Sequence, residues 1–409
     1  MGALDCRADG WAETGRQVTA LFNAAAPGAT IEVLVGDFPA NLREWFLEAG
    51  MRHSTAPLDG GGWRLVFTRG EAPAQGTSPG LHHVIAGEDG SVWACQRAPL
   101  MVRLDGETGR IAAVAAVATR GSHLARDAER GLIFVADPEA GQIVALRQSD
   151  LAVLHHWAVP GGPQLPVVSP GGIVCVTGSR TGTFTIARPI GGSYVAETIE
   201  IGACPHDPLV SRDGEHIFVP CAGSSDLAKV RLGDGRILGR CGVGDGPGHL
   251  AALPDGSRFY VANSWDGSVT CLDDEGVALA SAHSGGWAHA IDVSPDGKTV
   301  WVANFLDDTV TVFDTKTLER LALLETEAYP HGLDLSDDGR YAVVTGFASR
   351  HARVFDAASR RLLGRVEVGS GGSHTAFVGG TGYVACSIDD RLARVDLART
   401  ALLESIAIH

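Results

Sequence analysis

Long apolar runs are missing from this 409-residue sequence. The longest, IAAVAAVA at Ile111–Ala118, is far short of the about 20 residues that a membrane-spanning helix needs. The start, MGALDCRADGW, lacks both the basic opening and the apolar stretch of a secretory signal, so a soluble, cytoplasmic protein is expected. Clustered basic charge is lacking too: a net charge of −15 argues against a nucleic-acid or anionic-membrane partner, which selects for Lys and Arg. The eight cysteines form no CxxC pair and no dense disulfide spacing, so reduced thiols are expected. No CxxCH for covalent haem, no Gly-rich phosphate loop and no Ser-His-Asp grouping is found. Methionine is scarce at three residues while glycine reaches 53, a composition of many turns and short strands rather than long helices.

What is present divides into two unlike parts. Residues 1–70 alternate strand and helix patterns: LDCRA, ETGRQVTALFNAAA, TIEVLVG, ANLREWFLEAG and GWRLVFTR. They predict a small α+β sandwich. Residues 71–80, EAPAQGTSPG, have the composition of a flexible linker. From residue 81 to 409 a unit of about 40 residues recurs with several short strands in each copy, the signature of a propeller. WAHAIDVSPDGKTVWVAN at Trp287–Asn304 and YPHGLDLSDDGRYAVVTG at Tyr329–Gly346 are two such copies. Units aligned on their head residue begin at His82, His123, Gln164, His206, His249, His289, His331 and His374, 40 to 43 residues apart. Eight blades follow. Within each, a turn joins the first two strands, and in five of them it is an Asp-Gly turn, glycine taking positive φ at no steric cost.

The innermost strand of every blade starts at one mouth of the central channel, so the head residues predict a ring, with His83 beside the first. Their flanks have drifted, as in SHLAR, PHDPL, GHLAA and SHTAF, while the histidine persists. Neutral imidazole is the commonest metal ligand, and a bound cation relieves both the mutual repulsion of protonated rings and the waste of their polar atoms. A site built from His82, His83, His123, His206, His249, His289, His331 and His374 is therefore expected to hold a metal. Copper is the first choice, and structural histidines or an organic ligand are the alternatives. Cys95, Cys221 and Cys386 end second strands at the same mouth and are candidate additional ligands. Asp266, Asp307 and Asp308 are candidate acceptors that orient the imidazoles. Trp265 and Phe305 are candidate walls, and Arg97, Arg103, Arg180 and Arg350 candidate partners for an anion.

Three resemblances carry further expectations. The amino-terminal order resembles the TusA-like sulfur-carrier family, but GWAETG stands where that family has its Cys-Pro pair. A docking or dimerising role is expected rather than sulfur transfer, and Cys6 is expected to be a buried strand residue. The repeat resembles YVTN-type propellers and the eight-bladed haem-d domain of nitrite reductase, which implies a haem-d-like tetrapyrrole as an alternative cofactor. The histidine layout, with its His82-His83 pair, resembles the multinuclear copper sites of nitrous oxide reductase and thiocyanate dehydrogenase, which implies an oxidoreductase acting on a small nitrogen or sulfur compound. A non-enzymatic protein-interaction scaffold is the remaining expectation.

Overall fold

A computed structural model describes residues 4–6, 30–35, 51–58, 63–69, 81–96, 100–117, 121–347 and 349–408. The chain divides into two units, 1–77 and 78–409. In the first, four strands order as Leu4–Cys6, Thr30–Val35, Trp63–Arg69 and Met51–Pro57. The first pair is parallel and the others antiparallel, with Arg64 forked onto Glu32 across one of them. Three of these strands match the sequence expectation, and Met51–Pro57 was not foreseen. The two expected helices, at 13–26 and 40–50, lie outside the described residues.

The second unit is an eight-bladed β-propeller: eight four-stranded sheets, each made of four strands consecutive in sequence. In the sixth blade the strands are Ala288–Val293, Thr299–Asn304, Thr309–Asp314 and Arg320–Glu325. We call these positions A to D, from the axis outward. Burial follows position. Strand B of this blade is buried along nearly its whole length, whereas strand D alternates with its exposed residues toward solvent. The core lies between neighbouring blades: Trp301, Val310 and Val312 of the sixth pack against Leu333, Val344 and Phe355 of the seventh. The A–B turns have a shared chemistry. Ser294 Oγ donates to Asp296 Oδ1, the backbone N–H of Lys298 donates to the same oxygen, and Gly297 has φ 69°. Ser336, Asp338 and Gly339 repeat it one blade on.

No blade is shared between the two ends of the propeller, so closure rests on ordinary blade-to-blade packing. Leu81, Val84, Val102 and Leu104 of the first blade join Tyr383, Leu392 and Ile406 of the last in one cluster. Tyr383 Oη donates to the Gly106 carbonyl at 2.8 Å across that seam. Tyr383→Phe leaves this carbonyl without its hydroxyl partner and is expected to cost about 1 kcal/mol. A denaturant midpoint compared with that of the parent measures it.

Asp292 and Asp334 stand on strands A of the sixth and seventh blades, and each accepts a backbone N–H of the next blade's strand A, Leu335 and Thr375 respectively. Burial pushes Asp334 up to about 8 and Asp292 to about 6, with Asp292 adding to the rise at Asp334 and Asp337 to that at Asp292. A raised folded-state value means that the fold holds a proton the unfolded chain has already released. Stability from this proton is therefore full below about pH 4 and declines as pH rises toward 8. Asp334→Asn keeps the acceptor oxygen for Thr375 and removes the ionisation. Its unfolding temperature is expected to fall less than the parent's between pH 5 and pH 8.

Candidate functional site

The sequence puts a histidine at the head of strand A, but a regular strand would aim it at a neighbouring blade as readily as at the axis. The pairing decides. Ala288 pairs with Asn304 and Ile291 with Val302, so His289 and Ala290 stand together against Ala303. The same extra residue occurs at Gly248-His249 and at Ser373-His374. These are β-bulges, which bend a strand and re-aim its side chains. Just upstream, Cys204, Trp287 and Tyr329 take φ of 48°, 58° and 56°, each two residues before a head histidine. Non-glycine residues in this region are uncommon and mark a tightly determined backbone.

The result is an arc of imidazoles. Ring centroids lie 4.9 Å apart for His206–His249, 4.6 Å for His249–His289 and 4.8 Å for His289–His331. The arc widens to 6.4 Å at His331–His374, then closes again to 4.4 Å for His374–His83 and 5.1 Å for His83–His123. It opens at the third blade, where Gln164 replaces histidine and donates to Ser179 Oγ at 3.4 Å. In the first blade His83, which pairs with Cys95 just after the bulge, joins the arc. The His82 side chain lies outside the described residues.

Asp207, which sequence reasoning missed, is the one carboxylate grouped with these rings among the described residues. Its Oδ2 lies 2.8 Å from His249 Nδ1 and its Oδ1 lies 3.4 Å from His206 Nδ1. Burial alone would raise this acid, but His206 and His249 outweigh burial and hold it well below the usual carboxylate range. Its charge is felt at His83, His289 and His374 as well. Burial, reinforced by neighbouring imidazoles, pushes His83 and His289 well below their usual value and His374 down to about 4. Near pH 7 these three rings are neutral and keep a lone pair each. His249 Nε2 is buried and meets no hydrogen-bond partner among the described residues. A bare nitrogen lone pair under a carboxylate-fixed ring suits a bound cation.

The other expected contributors fall elsewhere. Cys95, Cys221 and Cys386 sit in blade-to-blade clusters and donate S–H to the carbonyls of Ser122, Ile201 and Val368. Burial pushes the Cys221 and Cys386 thiols up to about 12, which disfavours the thiolate that a metal needs. Asp266, Asp307 and Asp308 do not reach the imidazoles. They accept the backbone N–H groups of Asp245, Gly286 and Tyr329, and so pin the loops that lead into the bulges. Arg103 bonds to Ser91 and Ser149, and Arg350 to Glu367, Asp389 and Ser370. Arg97 lies outside the described residues. Phe305 does border the arc, edge-on to His289 at 5.8 Å and stacked on Tyr329 at 5.4 Å, with Phe347 5.5 Å from His331. Trp265 packs over Gly246 instead.

Comparison with known proteins shows the fold. The family described as "Lactonase, 7-bladed beta-propeller" matches residues 200–368. No curated protein matches the chain in sequence. Among solved structures, the Kuenenia stuttgartiensis hydrazine synthase is 18% identical with a TM-score of 0.56, covering 68% of this chain and 95% of its own. The dihydro-heme d1 dehydrogenase NirN in complex with DHE is 17% identical with a TM-score of 0.61, covering 72% of this chain and 67% of its own. A Lactobacillus plantarum protein is 19% identical with a TM-score of 0.55, covering 72% and 96%. No helix among the described residues is long and apolar enough to cross a membrane.

Proposed function

We propose that the imidazole arc is a transition-metal site that takes copper, and that the protein carries out redox chemistry on a small nitrogen or sulfur compound at the channel mouth. The observation that carries this reading is the buried, partnerless His249 Nε2 beside Asp207, with His206 and His289 at ring-contact distance. Imidazole with carboxylate is a donor set that favours copper over the other divalent first-row ions. The bound metal would supply electron transfer and polarise a coordinated ligand. The chain's own residues supply the rest. Asp207 fixes the rings, and Phe305, Tyr329 and Phe347 shield one side of the arc from water.

Elemental analysis of protein purified under anaerobic conditions tests the reading, and copper above one ion per chain is expected. Likeness to NirN favours one alternative, a tetrapyrrole in the same mouth, which would show an intense Soret-type absorption band. Negligible metal together with no such band would leave a protein-interaction scaffold. For the amino-terminal unit we propose docking or dimerisation. Removing residues 1–77 is then expected to halve the number of chains in the sedimenting particle, or to abolish capture of a partner, while the copper content per chain stays unchanged.

A further inference from the structure

The imidazoles of the arc are not chemically equivalent, because each neutral ring has one donor and one acceptor nitrogen and its neighbours decide which is which. At His249, Nδ1 faces the Asp207 carboxylate at 2.8 Å, and an acceptor-only oxygen there requires Nδ1–H. Nε2 is then the lone-pair atom, and it is buried with no hydrogen-bond partner among the described residues. His206 also turns Nδ1 toward the same carboxylate. At His83 the arrangement is reversed. The backbone N–H of Leu124, in the next blade, donates to His83 Nδ1 at 3.1 Å, so Nδ1 is the acceptor and Nε2 carries the hydrogen. Turning the ring over to free a lone pair would set a C–H against a buried amide, and buried amides without acceptors are rare.

We propose that the arc is divided: His206 and His249, oriented by Asp207, hold the metal through Nε2, while His83 is a hydrogen-bond donor that receives a small anion bound beside that metal. The inference rests on the metal reading above and assigns its substrate side. A ligand that is an acceptor at one end, such as an oxyanion or a linear triatomic anion, would meet Nε2–H of His83 across from the metal. Asp207 is a positioning residue in this scheme, since it acts through two imidazoles. His83 lies within ring-contact distance of His374 and His123, so the donor side has its own neighbours distinct from those of His249.

Histidine-selective nitrogen-15 NMR of the full metal-free chain reads the tautomers directly. Nδ1–H is expected at His249 and Nε2–H at His83, each signal assigned by its absence in His249→Gln or His83→Gln. Nδ1–H at His83 would overturn the inference, and this readout does not depend on any variant keeping its ligand affinity. The second arm uses copper(II) and then azide as probes, with unfolding temperatures confirming that each variant folds. His83→Gln is expected to bind copper(II) within about threefold of the parent but azide about tenfold more weakly, the loss of one hydrogen bond. His249→Gln is expected to lose copper itself. If His83→Gln loses copper as severely as His249→Gln, His83 is a ligand and the division fails while the metal reading survives. If the parent binds no copper, both fail together.

Discussion

His249→Gln is expected to lower copper(II) affinity by at least about a hundredfold, since it removes the ligating lone pair that Asp207 orients. The variant keeps a side-chain amide that can donate to Asp207, so the fold should survive and the loss should appear in binding alone. Asp207→Asn should cost about 10–100-fold, the usual price of disturbing a group that orients metal ligands. Asparagine can accept one Nδ1–H, but its own NH2 would face the second ring and force it to the other tautomer. His216→Gln is the control. That ring stands at the start of a second strand with Asp213 3.3 Å away and has no place in the arc. Copper titration calorimetry on the four proteins should rank the parent and His216→Gln together, Asp207→Asn below them and His249→Gln lowest. Equal affinities throughout would remove the arc as the binding site.

Much of this geometry was legible because it depends on local signals. The head residues recur every 40 to 43 residues and Asp-Gly turns follow in five units, so the number of blades and the height of each head residue along the axis are readable directly. Direction could not, because it depends on pairing. In the first blade the spacing makes His82 the head with His83 beside it, and it is the His83 ring that the structure sets against His374 and His123. Cys221 and Cys386 end their B strands as expected and Cys95 stands one residue before the end of its own, but strand alternation turns all three into the blade-to-blade core, 0% exposed. Asp207 did leave a trace: PHDPL is the only head with an acid directly after the histidine. The acids of the B–C loops offer the same chemistry in sequence, but loop amides engage them instead. Tyr329 leaves no trace of this kind, because the left-handed backbone that accompanies its stacking on Phe305 has no signal in composition.

Gly332→Ala is the substitution expected to damage fold and site at once. A β-carbon at Gly332 would lie 1.5 Å from the Ser373 carbonyl oxygen and 2.6 Å from Thr345 Oγ1. Neither can retreat cheaply. Thr345 Oγ1 accepts the Gly332 N–H at 3.1 Å and donates to Ser373 O at 3.1 Å, so the three groups form one knot between the seventh and eighth blades. Ser373 is 1% exposed and has no free volume to move into. Backbone overlap of this kind costs about 3 kcal/mol or more, at the upper end of overpacking effects, because a carbonyl has no alternative rotamer. Gly332 directly follows His331, and Ser373 directly precedes His374. Any relief of the clash must therefore push apart the two imidazoles already separated by the widest gap, 6.4 Å. Gly332→Ala is expected to lower the unfolding temperature by several degrees and to weaken copper binding in the protein that remains folded. Gly239→Ala, on an outer strand with open space around its α-carbon, should change neither. A Gly332→Ala protein as stable as the parent would mean that the seventh and eighth blades do not approach each other this closely.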